Sequence, residues 1–320
     1  MRDTTAAASS PAPAGETDTP TVTGDAEPTQ RREGRLDAKT LAVLGVTLLS
    51  WSSAFAGIGA GLRAYSPGHL VLFRFLVAAS ALLLYAVPAR IPLPRGRDLP
   101  GLFLVGFLGF TIYHIALVYG QVTVDAGTTA LLIATSPALT ALVARILLRE
   151  RLKPLGWAGI AISFTGAALI AFGKSGGMRF APGALLILLS AFTTSLFNVL
   201  QKPYLRRYRA LDVATYALCL GTLPMLVFLP GLATAIATAP LSATLAIIYL
   251  GLFPLAIGYA GWSYALSRAP AAIVSSFLYL STPLALVIAW VWLGQVPAPL
   301  SLVGGAIALA GVILVNTRGR

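Results

Sequence analysis

AGTTALLIATSP at residues 126–137 and AIVSSFLYLSTP at residues 272–283 are two copies of one pattern. Each opens on an Ala, runs through apolar residues interleaved with small hydroxyls, and closes on a Pro preceded by Ser or Thr. The spacing of 145 or 146 residues recurs at other landmarks. Gly159 and Gly166 return as Gly304 and Gly311, and Tyr119 returns as Tyr264. These landmarks keep their order, so the chain reads as two related halves. What such a repeat builds depends on how the chain is arranged between the copies.

Composition answers that. Of 320 residues, 57% are hydrophobic and 11% charged, with a mean hydropathy of +0.81. Soluble domains carry about 25% charged residues, so a water-soluble globule is excluded. Residues 40–62, 99–124, 154–173, 213–267 and 269–317 hold no charge. A bilayer core about 30 Å thick takes about 20 apolar helical residues. The two longest runs therefore each fold back once, at Pro230-Gly231 with Pro240 and at Pro297 with Pro299. The reading gives an all-α polytopic membrane protein with ten transmembrane helices, near 40–63, 68–87, 99–119, 126–147, 154–173, 182–201, 213–233, 243–266, 270–293 and 299–316. A repeat interval of five spans is odd, so the second copy enters the membrane inverted. The expected organisation is a first repeat at 38–173, an outer linker at 174–181 and a second repeat at 182–316. Inverted repeats of this kind mark alternating-access transporters, with the site near the midplane between them.

Charge placement fixes the orientation. Cytosolic loops concentrate Lys and Arg. With both termini inside, cytosolic segments take 19 of the 23 basic residues, outer segments take Arg63, Lys174 and Arg179, and Arg74 falls within a span. The net charge of +12 is thus a record of topology and gives no support to nucleic-acid binding. Seven of the eleven acids lie in residues 1–37, a Pro-, Thr- and Ala-rich segment with no hydrophobic period, which reads as a disordered cytosolic tail. Residues 317–320 form the cytosolic C-terminus.

The run from Trp51 to Phe55, Ser66-Pro67 and Phe73-Arg74-Phe75 resemble the opening of an EamA-type permease of the drug/metabolite transporter superfamily. So do Ala126-Gly127, Ser136-Pro137, the run from Leu148 to Leu152, Gly159 and Gly166, while Gly251 to Gly311 resembles the second EamA repeat. The resemblance spans about residues 38–316. Arg149 stands where the family usually has Gly, and Gln295 where an acid is common. The resemblance implies a secondary transporter or facilitator in the cell (inner) membrane, moving a small-molecule metabolite, with amino-acid efflux foremost. Two other classes stay open: a membrane-embedded lipid-modifying enzyme, and a non-transporting sensor or scaffold.

Candidate residues emerge from depth and spacing. Arg74 is the one charge inside a span, roughly 10 Å from the outer surface at 1.5 Å per residue. Asp125 is its first candidate partner. Arg74 can brace carbonyls between helices, or face the cavity and suit a carboxylate, and the two readings are compatible. Tyr113 and His114 lie at similar depth, and His is the one group whose ordinary pKa could support proton coupling. Trp51 and Phe55 share a face of the first span. Ser275, Tyr279 and Thr282 share one on the ninth, Tyr259 and Trp262 lie on the eighth, and Asn198 is the most polar residue inside the sixth. Pro137 and Pro283 are expected to break or kink their helices beside the cavity. Glu150, among Arg145, Arg149, Arg151 and Lys153, balances that cluster or locks an inner gate. No Walker motif, HExxH, Cys cluster or Ser–His–Asp arrangement is present, so the sequence implies no catalytic residue, no metal and no cofactor.

Overall fold

The computed structural model describes residues 37–149, 153–172, 181–268, 274 and 277–318. Among these residues every regular element is helical. Eight helices are long and apolar enough to cross a bilayer: α1 (Ala38–Gly61), α2 (Pro67–Ala86), α3 (Gly96–Gly120), α4 (Ala126–Leu147), α5 (Pro154–Phe172), α6 (Pro182–Leu205), α7 (Ala210–Phe228) and α8 (Leu241–Ala265). Two further apolar helices follow, α9 (Ser281–Leu293) and α10 (Pro299–Arg318). The tail up to residue 36, most of the linker, Glu150, residues 272, 273, 275 and 276 of the second quoted copy (Ser275 among them), and the side chain of Tyr279 lie outside the described residues.

Helix starts are written locally. Asp37 accepts from the Thr40 N–H, Ser66 from the His69 N–H ahead of Pro67, and Asp125 from the Thr128 N–H, so each supplies a partner that a first helical turn lacks. Asp125 spends its second oxygen on the Thr128 hydroxyl at 2.6 Å. Gln295 adds to the same helix start, its Oε1 accepting the Ala126 N–H at 3.1 Å. The residue that departs from the family pattern therefore caps a helix of the other half.

Main chains meet closely where side chains are absent. α5 and α10 run antiparallel, Gly159 against Gly311 and Gly166 against Gly304. A Cβ on Gly159 would lie 2.8 Å from the Gly311 carbonyl oxygen, and one on Gly311 would lie 2.5 Å from that of Gly159. This is the small-residue packing that a bilayer favours, where burial of oil against oil gives no drive.

Contacts recur in exchanged pairs. Gly106 of α3 meets the Ala217 carbonyl of α7, and Gly251 of α8 meets the Arg74 carbonyl of α2. The Ser195 hydroxyl of α6 donates to the Ser136 carbonyl of α4 at 3.0 Å, and the Ser52 hydroxyl of α1 donates to the Ser281 carbonyl of α9 at 3.0 Å. The helix α4 is interrupted after Ile133 and resumes at Ser136 with Pro137 in its first turn. Before α9, a tight 3-10 turn at Phe277–Leu280 leads into Ser281 and Pro283. The two serine hydroxyls thus bond carbonyls at matching interruptions, as backbone away from water requires.

Both halves also carry a wide turn at the same place. Phe107–Ile112 in α3 and Gly251–Ile257 in α8 are π-helical, about one repeat interval apart. A π-turn adds a residue to the helix and rotates everything after it, a feature frequent at functional sites. Tyr113 comes directly after the first wide turn, and Tyr259 shortly after the second.

Candidate functional site

Arg74 lies in the interior of the bundle, 1% exposed. Its Nε and Nη1 are buried without a hydrogen-bond partner among the described residues. The expected ion pair with Asp125 is absent among the described residues; the Asp125 oxygens bond the Thr128 N–H and hydroxyl at the start of α4. Bracing of helix carbonyls requires bonds that Nε and Nη1 lack. The guanidinium is linked through the Phe75 ring to a group of rings that includes Tyr113 of one half and Tyr259 of the other. Its carbon also stands 5.9 Å from the Phe75 ring centroid.

A chain of aromatic rings extends from this point. Phe110 lies 5.3 Å from Tyr259, 5.5 Å from Phe197 and 6.1 Å from Phe75. Trp51 lies 5.5 Å from Tyr259 and 5.2 Å from Trp262. Its indole Nε1 donates to the Pro254 carbonyl at 2.9 Å, which ties α1 to the wide turn of α8. Trp51, Tyr113, Tyr259 and Trp262 are half-buried. His114 is buried, 4.4 Å from Tyr113 and 4.8 Å from Phe75 ring to ring, with neither ring nitrogen hydrogen-bonded among the described residues.

The structure therefore gathers Trp51, Arg74, Tyr113, His114, Tyr259 and Trp262 into one cluster. Phe55 packs in the apolar core beneath it, its carbonyl accepting from Gln121 Nε2 at 3.0 Å. Asn198 stands apart: it is exposed and accepts from Gln201 Nε2 at 3.4 Å on its own helix. Its neighbour Phe197 is the residue of α6 that reaches the cluster. Pro283 lines a separate apolar pocket of about 310 Å³ with Leu131, Thr282 and Gly305. Polarity and helical spacing do not single out Phe110, Phe197 or the Pro254 carbonyl. Their signal is apolar composition, which every span shares.

At the ends of the bundle, loops are latched. The Asp98 carboxylate receives Arg207 Nη1 at 2.8 Å and the Tyr208 hydroxyl at 2.8 Å, and the Tyr208 oxygen accepts the Arg95 N–H at 3.0 Å. This joins the start of α3 to the segment before α7. His69 at the start of α2 lies 3.0 Å, through Nε2, from the Pro230 carbonyl after α7.

A bundle of bilayer-length helices around a buried, polar and aromatic interior is the architecture of a multi-pass membrane transporter. The chain belongs to the EamA-like transporter family, whose pattern matches residues 39–172 and again 181–317. It is 45% identical over 262 residues to the "Uncharacterized transporter YdfC" of Bacillus subtilis, covering 82% of this chain and 86% of that one. It is 43% identical over 281 residues to the "Probable terminal-alkyne amino-acid exporter" of Streptantibioticus cattleyicolor, covering 88% and 94%. A solved crystal structure with 20% sequence identity superposes with a TM-score of 0.58, over 86% of this chain and 96% of the other, and shares the fold.

Proposed function

We propose that this transporter is a secondary transporter or facilitator exporting amino acids or related small metabolites by alternating access across the cytoplasmic membrane. The observation that carries the reading is the interior cluster, where α1, α2 and α3 of one half meet α6 and α8 of the other around a guanidinium whose Nε and Nη1 have no hydrogen-bond partner among the described residues. Ligand sites combine apolar and aromatic walls with a few placed polar groups, and this cluster has that make-up. The same reading has ten spans in two inverted repeats, 38–173 and 182–316, with both termini cytosolic. The exchanged contact pairs support it. Two inverted copies related by an axis in the membrane plane give each helix pair a counterpart with the halves swapped. A relative at 43% identity, named a "Probable terminal-alkyne amino-acid exporter", supports the substrate class.

Proteoliposomes loaded with labelled amino acids and related metabolites test this directly. Efflux above that of empty liposomes for at least one compound is the expected result. Flux equal to empty liposomes across a broad panel would overturn the reading.

A further inference from the structure

An unpaired guanidinium in a bilayer interior is costly, and such groups normally find a counter-ion or line a wet cavity. Here three of the four described acids are engaged elsewhere, and the fourth, Asp212, is buried near the start of α7. Asp37 and Asp125 cap the helices they precede, and Asp98 is bound by Arg207 and Tyr208. Asp212 sits in the first turn of α7. The protein thus brings a buried cation to its centre, with Nε and Nη1 free to donate, and no described acid is bonded to it. Tyr113 and Tyr259 belong to the ring group that begins at Phe75 beside it, and they carry hydroxyl donors.

We propose that Arg74, Tyr113 and Tyr259 form a carboxylate-binding subsite, and that the faces of Trp51, Tyr259 and Trp262 receive the opposite pole of the same substrate. This rests on the transporter reading above. A carboxylate accepts two parallel N–H bonds from a guanidinium and leaves lone pairs for further donors. Neutral amides or esters offer a single weaker acceptor and no charge. The far end of the site holds ring faces in place of an acid, with Trp51 5.5 Å from Tyr259 and 5.2 Å from Trp262. Ring faces attract an ammonium through their quadrupole and accept an apolar side chain equally well. The carboxylate is therefore the obligatory recognition element, and the amine contributes less. Tyr113 and Tyr259 sit beyond the two wide turns in opposite halves, so movement of one half against the other changes how many donors surround the anion.

The test measures binding to the purified full-length protein in nanodiscs. The probes are L-leucine, L-threonine and L-propargylglycine, each compared with its carboxamide and its N-acetyl derivative, with titration calorimetry as readout. For the wild type, at least one free acid binds about tenfold or more tightly than its carboxamide, and N-acetylation costs less than amidation. Arg74→Gln, checked for folding by size-exclusion chromatography, loses that preference, so acid and carboxamide bind alike. The wild-type comparison stands even if the variant fails to fold. Equal binding of acid and carboxamide, absence of binding by every acid, or an Arg74→Gln protein that keeps the preference would overturn the subsite. The liposome flux assay is scored separately, so transport without acid preference refutes the subsite and leaves the transporter reading intact.

Discussion

A single methyl group added at Gly166 should weaken the crossing of α5 and α10 far more than its size implies. The Cβ of Gly166→Ala would lie 2.5 Å from the Gly304 carbonyl oxygen, with the Ala308 main-chain nitrogen closer still. Ordinary carbon–oxygen contacts begin at about 3.3 Å, so the helices must part by roughly 0.8 Å. Both obstacles are main-chain atoms, so no side-chain rotation relieves the overlap. Overpacking of this kind costs about 1–3 kcal/mol, and the better helix propensity of Ala returns at most about 1 kcal/mol. Gly45→Ala is the control, because a Cβ there meets nothing within 4 Å. Thermal unfolding in detergent, monitored by tryptophan fluorescence, should show Gly166→Ala melting below the wild type and Gly45→Ala at or above it. A Gly166→Ala protein melting at or above the wild type would refute the close main-chain crossing.

Opposite signs are expected at the two ends of the repeat interval. Arg149 holds φ at 55° and Gly294 at 67°, the left-handed region that costs a side chain about 1 kcal/mol. Arg149→Gly should raise the melting temperature slightly and Gly294→Ala should lower it, and the same unfolding assay checks both. Trp51→Ala removes the bond to the Pro254 carbonyl and two ring contacts, so liposome flux should fall while expression stays near that of the wild type. Asp98→Ala should destabilise the protein by about 1–2 kcal/mol by unmaking two bonds to a buried carboxylate, with half-exposed Arg207 losing little. Thermal unfolding at equal detergent concentration measures it.

How much of the site is legible in the sequence varies residue by residue. Arg74 is legible because a charge in an apolar run is costly and therefore informative. Trp51, Tyr259 and Trp262 are legible as large aromatics with a polar edge at interior depth. Asn198 misleads because polarity inside a span suggests the cavity, while the neighbouring Phe197 is the residue that meets Phe110. Asp125 misleads in another way: it is an acid at the right end of the bundle, but a carboxylate directly before a helix bonds the N–H groups three residues on. Phe110 lies out of reach because it is one apolar residue in an apolar span, within the wide turn at Phe107–Ile112 where a wheel drawn at 3.6 residues per turn does not hold.

By itself the sequence determined the all-helical membrane class, the apolar segments and the existence of a repeat. These properties depend on composition and on spacing. Only the tertiary structure decided which glycine meets which across α5 and α10, and that Gln295 caps a helix of the other half. It also decided that Arg74 lies beside the Phe75 ring with no described acid bonded to it. Those outcomes depend on which helix faces come together, and inside a bilayer the apolar faces of all the helices look alike until packing chooses among them.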